Sequence, residues 1–275
     1  MRTRAYLLVF PLLLSLSNAW ATPPEESGST ALTIFAAGSL RGVLQEVERQ
    51  YTAHYGITFK TVYGPSGVLA KRIESGEVPD LFLSADFDHP QRLAADGKSL
   101  SPVVFARNQL CVTGRAGLGL TTSNVLDKML DPSLKLGTST PKSDPSGDYT
   151  WEMFSRADAI HPGAYSALSG KALQLVGGPQ SPAVPPGQNA VRYFFAQHEA
   201  DMFVGYCSTQ ARSVKGDIEK VQVPAGLEVA ADYGLAVPNA PQQAAALRFA
   251  WFVLTPEVQS TFAAYGFQPV GDRAN

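Results

Sequence analysis

The chain is 275 residues long, 45% hydrophobic and 17% charged, with 22 basic against 24 acidic residues. That length is enough for one large domain or two modest ones with real cores. A net charge of −2 supplies no basic field for nucleic acid or an acidic membrane surface, so a nucleic-acid partner is not expected.

The N-terminus carries Arg2 and Arg4, the apolar run AYLLVFPLLLSL, and then Ala19 and Ala21 in an A-x-A pattern. This reads as a secretory signal over residues 1–21, cut after Ala21. The apolar run is too short to span a bilayer comfortably, and no later stretch is long and apolar enough to do so. The mature chain is therefore expected to be exported and soluble, with TPPEESGST as a loose start. ALTIFAA reads as a buried strand, after which Leu40, Val43, Leu44, Val47 and Tyr51 recur at helical spacing. ITFKTVYG is a second strand, Val68, Leu69, Arg72 and Ile73 sit in a short helix, and DLFLSA is a third strand. That βαβαβ order implies a parallel sheet with helices on both faces.

VVFARNQLCVTG is a long strand-like run that could pass from one lobe to another. KLGTSTP, the helix over Gly147–Ala157 and ADMFVGYCS form a second strand-helix set. YGLAVPN is a late strand, and QQAAALRFAWFVL and PEVQSTFAAYGF are the last helices. Gly177 to Gly187 reads as a Pro/Gly-rich surface loop. The expected fold class is α/β, with two lobes that are each a mixed, mostly parallel sheet flanked by helices. Lobe 1 is assigned to residues 31–104 plus 230–270 and lobe 2 to residues 105–229. Cys111 and Cys207 both lie in strand-like runs. In an oxidising compartment they could pair, and two buried thiols is the alternative, which spacing does not decide.

Signals for catalysis are weak. GPSGV around Ser66 lacks the second glycine of G-x-S-x-G, and no histidine lies near Ser39 or Ser66 in sequence to serve as a base. SADFDHP groups Asp86, Asp88 and His89, which reads as a solvated turn rather than a metal site. No phosphate-binding loop, dinucleotide fingerprint or paired CxxC is present, so no catalytic residue, cation site or cofactor is assigned. Anion binding fits better. Gly38-Ser39, Pro65-Ser66-Gly67, Pro145-Ser146-Gly147 and Pro186-Gly187-Gln188-Asn189 all enter helices through small or hydroxyl residues. Free N–H groups and aligned peptide dipoles at helix starts attract negative charge. In open α/β sheets such loops lie at the carboxyl ends of strands, where ligands bind. Simple helix capping is the alternative for each serine.

LTIFAAGSL, YGPSGVLAKRIESGEVPDLFLSAD, PSGDYTWEMF and the terminal AAYGFQPV resemble periplasmic molybdate-binding proteins of ABC importers, over residues 31 to 270. The resemblance implies a two-lobed type II periplasmic binding protein without enzymatic activity. It further implies a monomer that closes by a hinge on molybdate or tungstate and hands the oxyanion to an inner-membrane permease. Carried over residue by residue, it makes Ser39 and Ser66 hydroxyl and amide donors to the oxyanion. It places a backbone amide in the turn Pro145–Tyr149, with Ser146 where alanine is usual, and the ligand tyrosine at Tyr206. A further amide falls at Gln188 or Asn189, in the segment that departs most from the family. Ser146, Asp148 and the divergent 177–189 loop leave open another anion, such as sulfate or a small organic acid. A secreted serine hydrolase is a third reading.

None of these helix starts carries a lysine or arginine, and Arg41 is expected to face away. Neutral donors alone would then hold the charge, and the O–H of hydrogen phosphate would find no acceptor. Phosphate is thus expected to bind roughly ten- to hundredfold more weakly than molybdate.

Overall fold

The computed structural model describes residues 31–208 and 218–270; the expected secretory signal over residues 1–21 lies outside them. β1 (Leu32–Ala37) passes through a short 3-10 turn (Gly38–Leu40) into α1 (Arg41–Tyr55), followed by β2 (Phe59–Gly64), α2 (Ser66–Glu74), β3 (Leu81–Leu83) and α3 (Asp88–Ala95). The long β4 (Val103–Arg115) leads to α4 (Val125–Leu130), β5 (Leu136–Ser139), α5 (Pro145–Ile160), α6 (Ala164–Lys171), β6 (Leu173–Val176) and α7 (Ala190–Ala196). β7 (Met202–Tyr206), β8 (Ile218–Gln222), β9 (Ala230–Ala236), α8 (Gln243–Val253) and α9 (Pro256–Ala264) complete the described chain.

β1 shows why the first strands need helices on both faces. Leu32, Ile34 and Ala36 pack with Val43, Leu44 and Val47 of α1. Phe35, on the opposite face, packs with Leu69, Ala70 and Ile73 of α2 and with Phe82 and Leu93. A strand covered on both sides reads as a continuous apolar run, as LTIFAA does. β1 pairs in parallel with β2 and β3, and β5 pairs in parallel with β6 and β7. The described antiparallel pairs all involve β4 or β9. The strand order among the described residues is β2-β1-β3-β9-β4-β7-β5-β6, with β8 also on β4.

β4 ties the two parallel groups together. Residues 103–109 pair with β9, residues 110–114 with β7 and residues 111–115 with β8. The unbroken apolar run in sequence is thus one strand that changes partners midway. Just beyond the change, Cys111 and Cys207 form a disulfide with Cα atoms 4.9 Å apart, which decides between pairing and free thiols. Aromatic edges stack beneath the same region, with Phe105 against Tyr233 and Phe262, and Phe267 against both Tyr233 and Phe262.

α5 starts at Pro145, two residues before the expected Gly147. Asp144 caps it by accepting the Ser146 amide, and Pro145 occupies the first turn, where its missing N–H costs nothing. Gly147 is required there. A Cβ at this position would stand 2.5 Å from the Thr140 carbonyl carbon and 2.6 Å from the Pro141 nitrogen, so only glycine lets the helix start approach that backbone.

Candidate functional site

The carboxyl ends of β1, β2, β5, β6 and β7 and Ala85, two residues past β3, meet at one cavity of about 400 Å³. Ser39, Ser66, Ser146, Asn189 and Tyr206 all line it, though they come from five separate segments. Gln188 does not; it is exposed, and its amide donates to the Pro185 carbonyl at 3.2 Å. Asn189 caps α7 by accepting the Arg192 amide at 3.1 Å.

Helix capping does not account for Ser39, Ser66 or Ser146. Ser39 lies in the 3-10 turn and Ser66 is the first helical residue after Pro65, and neither helix start has a side-chain cap bond. Ser66 is buried, and its Oγ accepts the Ala85 amide at 3.0 Å. An oxygen held as an acceptor by a backbone N–H keeps its own hydrogen for another partner. The Ala85 peptide is shared across the cavity, because its carbonyl accepts from the Tyr206 hydroxyl at 3.3 Å. Tyr206 therefore lines the cavity already bonded to a carbonyl opposite, and reaching a ligand requires it to leave that carbonyl.

Ser39 is supported by a buried chain that sequence reading missed. Its Oγ is 3.0 Å from the Tyr233 hydroxyl. Asn108 Nδ2 donates to Tyr233 Oη at 3.2 Å and to Ser208 Oγ at 2.7 Å. The Gln109 amide donates to Asn108 Oδ1 at 2.9 Å, which fixes the amide orientation, since only oxygen accepts. With a ligand accepting from Ser39, the hydrogens can run from Asn108 to Tyr233, from Tyr233 to Ser39 and from Ser39 into the cavity, and Tyr233 also bonds the Tyr206 side chain. Burial holds the Tyr206 and Tyr233 hydroxyls above the ordinary tyrosine range, so both remain protonated donors.

Three features depart from the sequence expectations. Arg41 does not face away; it lines the cavity with its guanidinium 4.2 Å over the Tyr63 ring, so a cation stands at the rim. Asp86 is not in a solvated turn. It is buried, accepts from Ser84 Oγ at 3.1 Å and from the His89 amide at 3.0 Å, and pairs with the His89 ring. The third is Asp144. Its carboxyl lines the cavity, with burial as the main cause that pushes its pKa up to about 6. Bonds from the Ser146 amide and the Ser139 side chain oppose that rise, while Asp148 and Asp86 add to it. Asp148, which in sequence left the identity of the anion open, accepts the Lys142 amide at 2.8 Å. No local motif marks Asp144; the only signal was its position just before the Pro-Ser-Gly helix entry.

Residues 32–268 match the family model described as bacterial extracellular solute-binding protein. An uncharacterized protein of Pasteurella multocida is 40% identical over 207 residues, covering 74% of this chain and 86% of its own. The molybdate-binding protein ModA of Escherichia coli is 26% identical over 246 residues, covering 86% of this chain and 88% of its own. Among solved structures, the periplasmic molybdate-binding protein of Azotobacter vinelandii superposes with a TM-score of 0.70 at 18% identity, covering 86% of this chain and 98% of that one. At that identity the likeness speaks for the fold: an α/β binding-protein architecture with a mixed sheet flanked by helices. The chain belongs to the family of bacterial extracellular solute-binding proteins.

Proposed function

We propose that this protein captures a small tetrahedral oxyanion, molybdate or tungstate, in the cavity between its two sheet groups and delivers it to the permease of an ABC importer. The observation that carries this reading is the hydrogen bonding behind the Ser66 and Ser39 hydroxyls. The Ser66 oxygen accepts the Ala85 amide, and the Ser39 oxygen lies 3.0 Å from the Tyr233 hydroxyl, which can donate to it, so each serine can turn its hydrogen to an acceptor in the cavity. Hydroxyls arranged in this way suit an anion that only accepts. Similarity to the Escherichia coli molybdate-binding protein over most of both chains supports the same ligand class. In this reading a signal over residues 1–21 sends the protein to the periplasm, where it works as a monomer.

The lobes would be residues 31–104 with 230–270, and residues 105–229, moving about the partner change in β4. A cavity of about 400 Å³ equals roughly a dozen waters at ~30 Å³ each. A single oxyanion would reach donors on both walls only as those walls close. The hydrolase reading finds no support in the hydrogen bonding. The His89 ring is engaged with Asp86, and no hydrogen bond joins it to Ser66 among the described residues. Calorimetry with molybdate, tungstate, sulfate and phosphate tests the proposal. One-to-one binding of at least one of the first two at micromolar or lower concentration is expected, and no heat from any of the four at millimolar concentration would refute it.

A further inference from the structure

Asp144 is not explained by a site built from neutral donors. Its Oδ1 accepts the Ser146 amide at 3.1 Å, and its carboxyl also bonds the Ser139 side chain. A Cβ on Gly177, whose φ is +80°, would stand 2.7 Å from Oδ2, so the turn after β6 is pressed against the carboxyl. The part of Asp144 left accessible lines the same cavity as Ser39, Ser66 and Tyr206. Capping α5 does not call for a charge here, because asparagine and serine cap as well as aspartate.

The groups facing this carboxyl offer no counterion. Asp86 reaches it from the loop after β3 and Asp148 from α5, both raising the cost of a negative charge. Tyr206 of β7 and Tyr233 of β9 face it as neutral hydroxyls. None of the basic side chains nearby bonds this carboxyl: the His89 ring lies against Asp86, Lys142 acts on Asp148, and Arg41, at the cavity rim, lies over the Tyr63 ring. An oxyanion entering the cavity would therefore meet a second, uncompensated anion unless a hydrogen stood between the two.

We infer that the cavity binds its oxyanion together with one proton, held in a hydrogen bond between the Asp144 carboxyl and a ligand oxygen. This rests on the oxyanion reading above and names the ligand chemistry it favours. A fully ionised oxyanion such as molybdate brings no hydrogen, so Asp144 must take one proton from solvent and donate it. Hydrogen phosphate carries its own O–H, which donates to the ionised carboxylate. No other bond forms or breaks. Above about pH 7.5 the site therefore favours an oxyanion that carries a hydrogen, a hydrogen phosphate or phosphonate, which reverses the order expected from neutral donors alone.

Calorimetry on the mature chain tests this, with molybdate and with inorganic phosphate as probes, at several pH values from about 5.5 to 8.5. Two buffers of different ionisation heat at each pH count the protons exchanged. Expected for molybdate is uptake approaching one proton per ion at the alkaline end, with affinity falling toward tenfold per pH unit. Asp144→Asn, which can still cap α5, removes the uptake and flattens the profile. At the alkaline end phosphate binds the parent without uptake and loses at least roughly tenfold in the variant, where its O–H meets an amide hydrogen. The parent's proton count stands without the variant. Tight molybdate binding at every pH with no proton uptake would overturn the inference while leaving the oxyanion site intact. Binding of neither probe at any pH would overturn both, and so is distinguishable.

Discussion

A carboxyl kept without a counterion should lower the stability of the empty protein, and Asp144→Asn measures by how much. In the folded protein its pKa is pushed from the ordinary 3.8 up to about 6, mainly by burial. The folded state thus holds this proton more tightly than the unfolded chain does. The linkage sign follows: below pH ~4 both states are protonated and there is no cost, whereas between ~4 and ~6 stability falls as pH rises. Above ~6 the full penalty is present. At 1.36 kcal/mol per pH unit it amounts to about 3 kcal/mol at most. Asparagine keeps the cap by accepting the Ser146 amide through Oδ1 and carries no charge to bury. Urea unfolding of the ligand-free protein should therefore show Asp144→Asn more stable than the parent by about 2–3 kcal/mol at pH 7.5. The gain should shrink to within about 0.5 kcal/mol at pH 4. In thermal melts at pH 7.5 a chain of this size should gain roughly 4–12 °C. A variant that is less stable than the parent at pH 7.5, or whose difference is the same at both pH values, would mean that the carboxylate is already compensated and that the electrostatic reasoning is wrong.

Ser39→Ala and Ser66→Ala should each weaken molybdate binding roughly 10- to 150-fold, the worth of a hydrogen bond to a charged group, as read by calorimetry. Ser66→Ala should also cost about 1–3 kcal/mol of folding stability in urea, because it strands the buried Ala85 amide; equal stability would show that water replaces the hydroxyl. Tyr233→Phe removes the oxygen that bonds Asn108, Ser39 and Tyr206, while Tyr233 itself does not line the cavity. It should lower affinity about fivefold through the loss of one orienting bond, and an unchanged affinity would mean that Ser39 needs no support. Reducing the disulfide, which spans 96 residues, should remove about 4–5 kcal/mol in the chain-entropy account. Melting with and without reductant should differ by on the order of 10 °C, and identical melts would place its effect elsewhere than in the unfolded chain.

Local pattern was enough for the elements. The apolar run before Gly38-Ser39 and the 3.6-residue spacing after it specify β1 and α1, because both periodicities are short-range consequences of burial. The same holds for the second strand-helix switch at Pro65-Ser66, and resemblance carried Ser39, Ser66, Ser146, Asn189 and Tyr206 to what proved to be a single cavity. Sequence could not show what stands behind those residues. Tyr233 meets Ser39 from 194 positions away and Asn108 from 125, and no local signal reports a contact made only when β4 and β9 pair. Gln188 stands outside that cavity because a tight turn at Pro185 claims its amide. Arg41 was misjudged because helical phase alone does not reveal that Tyr63 waits above it. Asp144 reads in sequence as an ordinary polar residue before a Pro-Ser-Gly turn. It becomes a half-buried, desolvated carboxyl without a counterion only when β3, β5, β6 and β7 bring Asp86, Ser139, Gly177 and Tyr206 around it. Desolvation is a property of the whole assembled cavity, so the electrostatic character of this site was decided by tertiary structure alone.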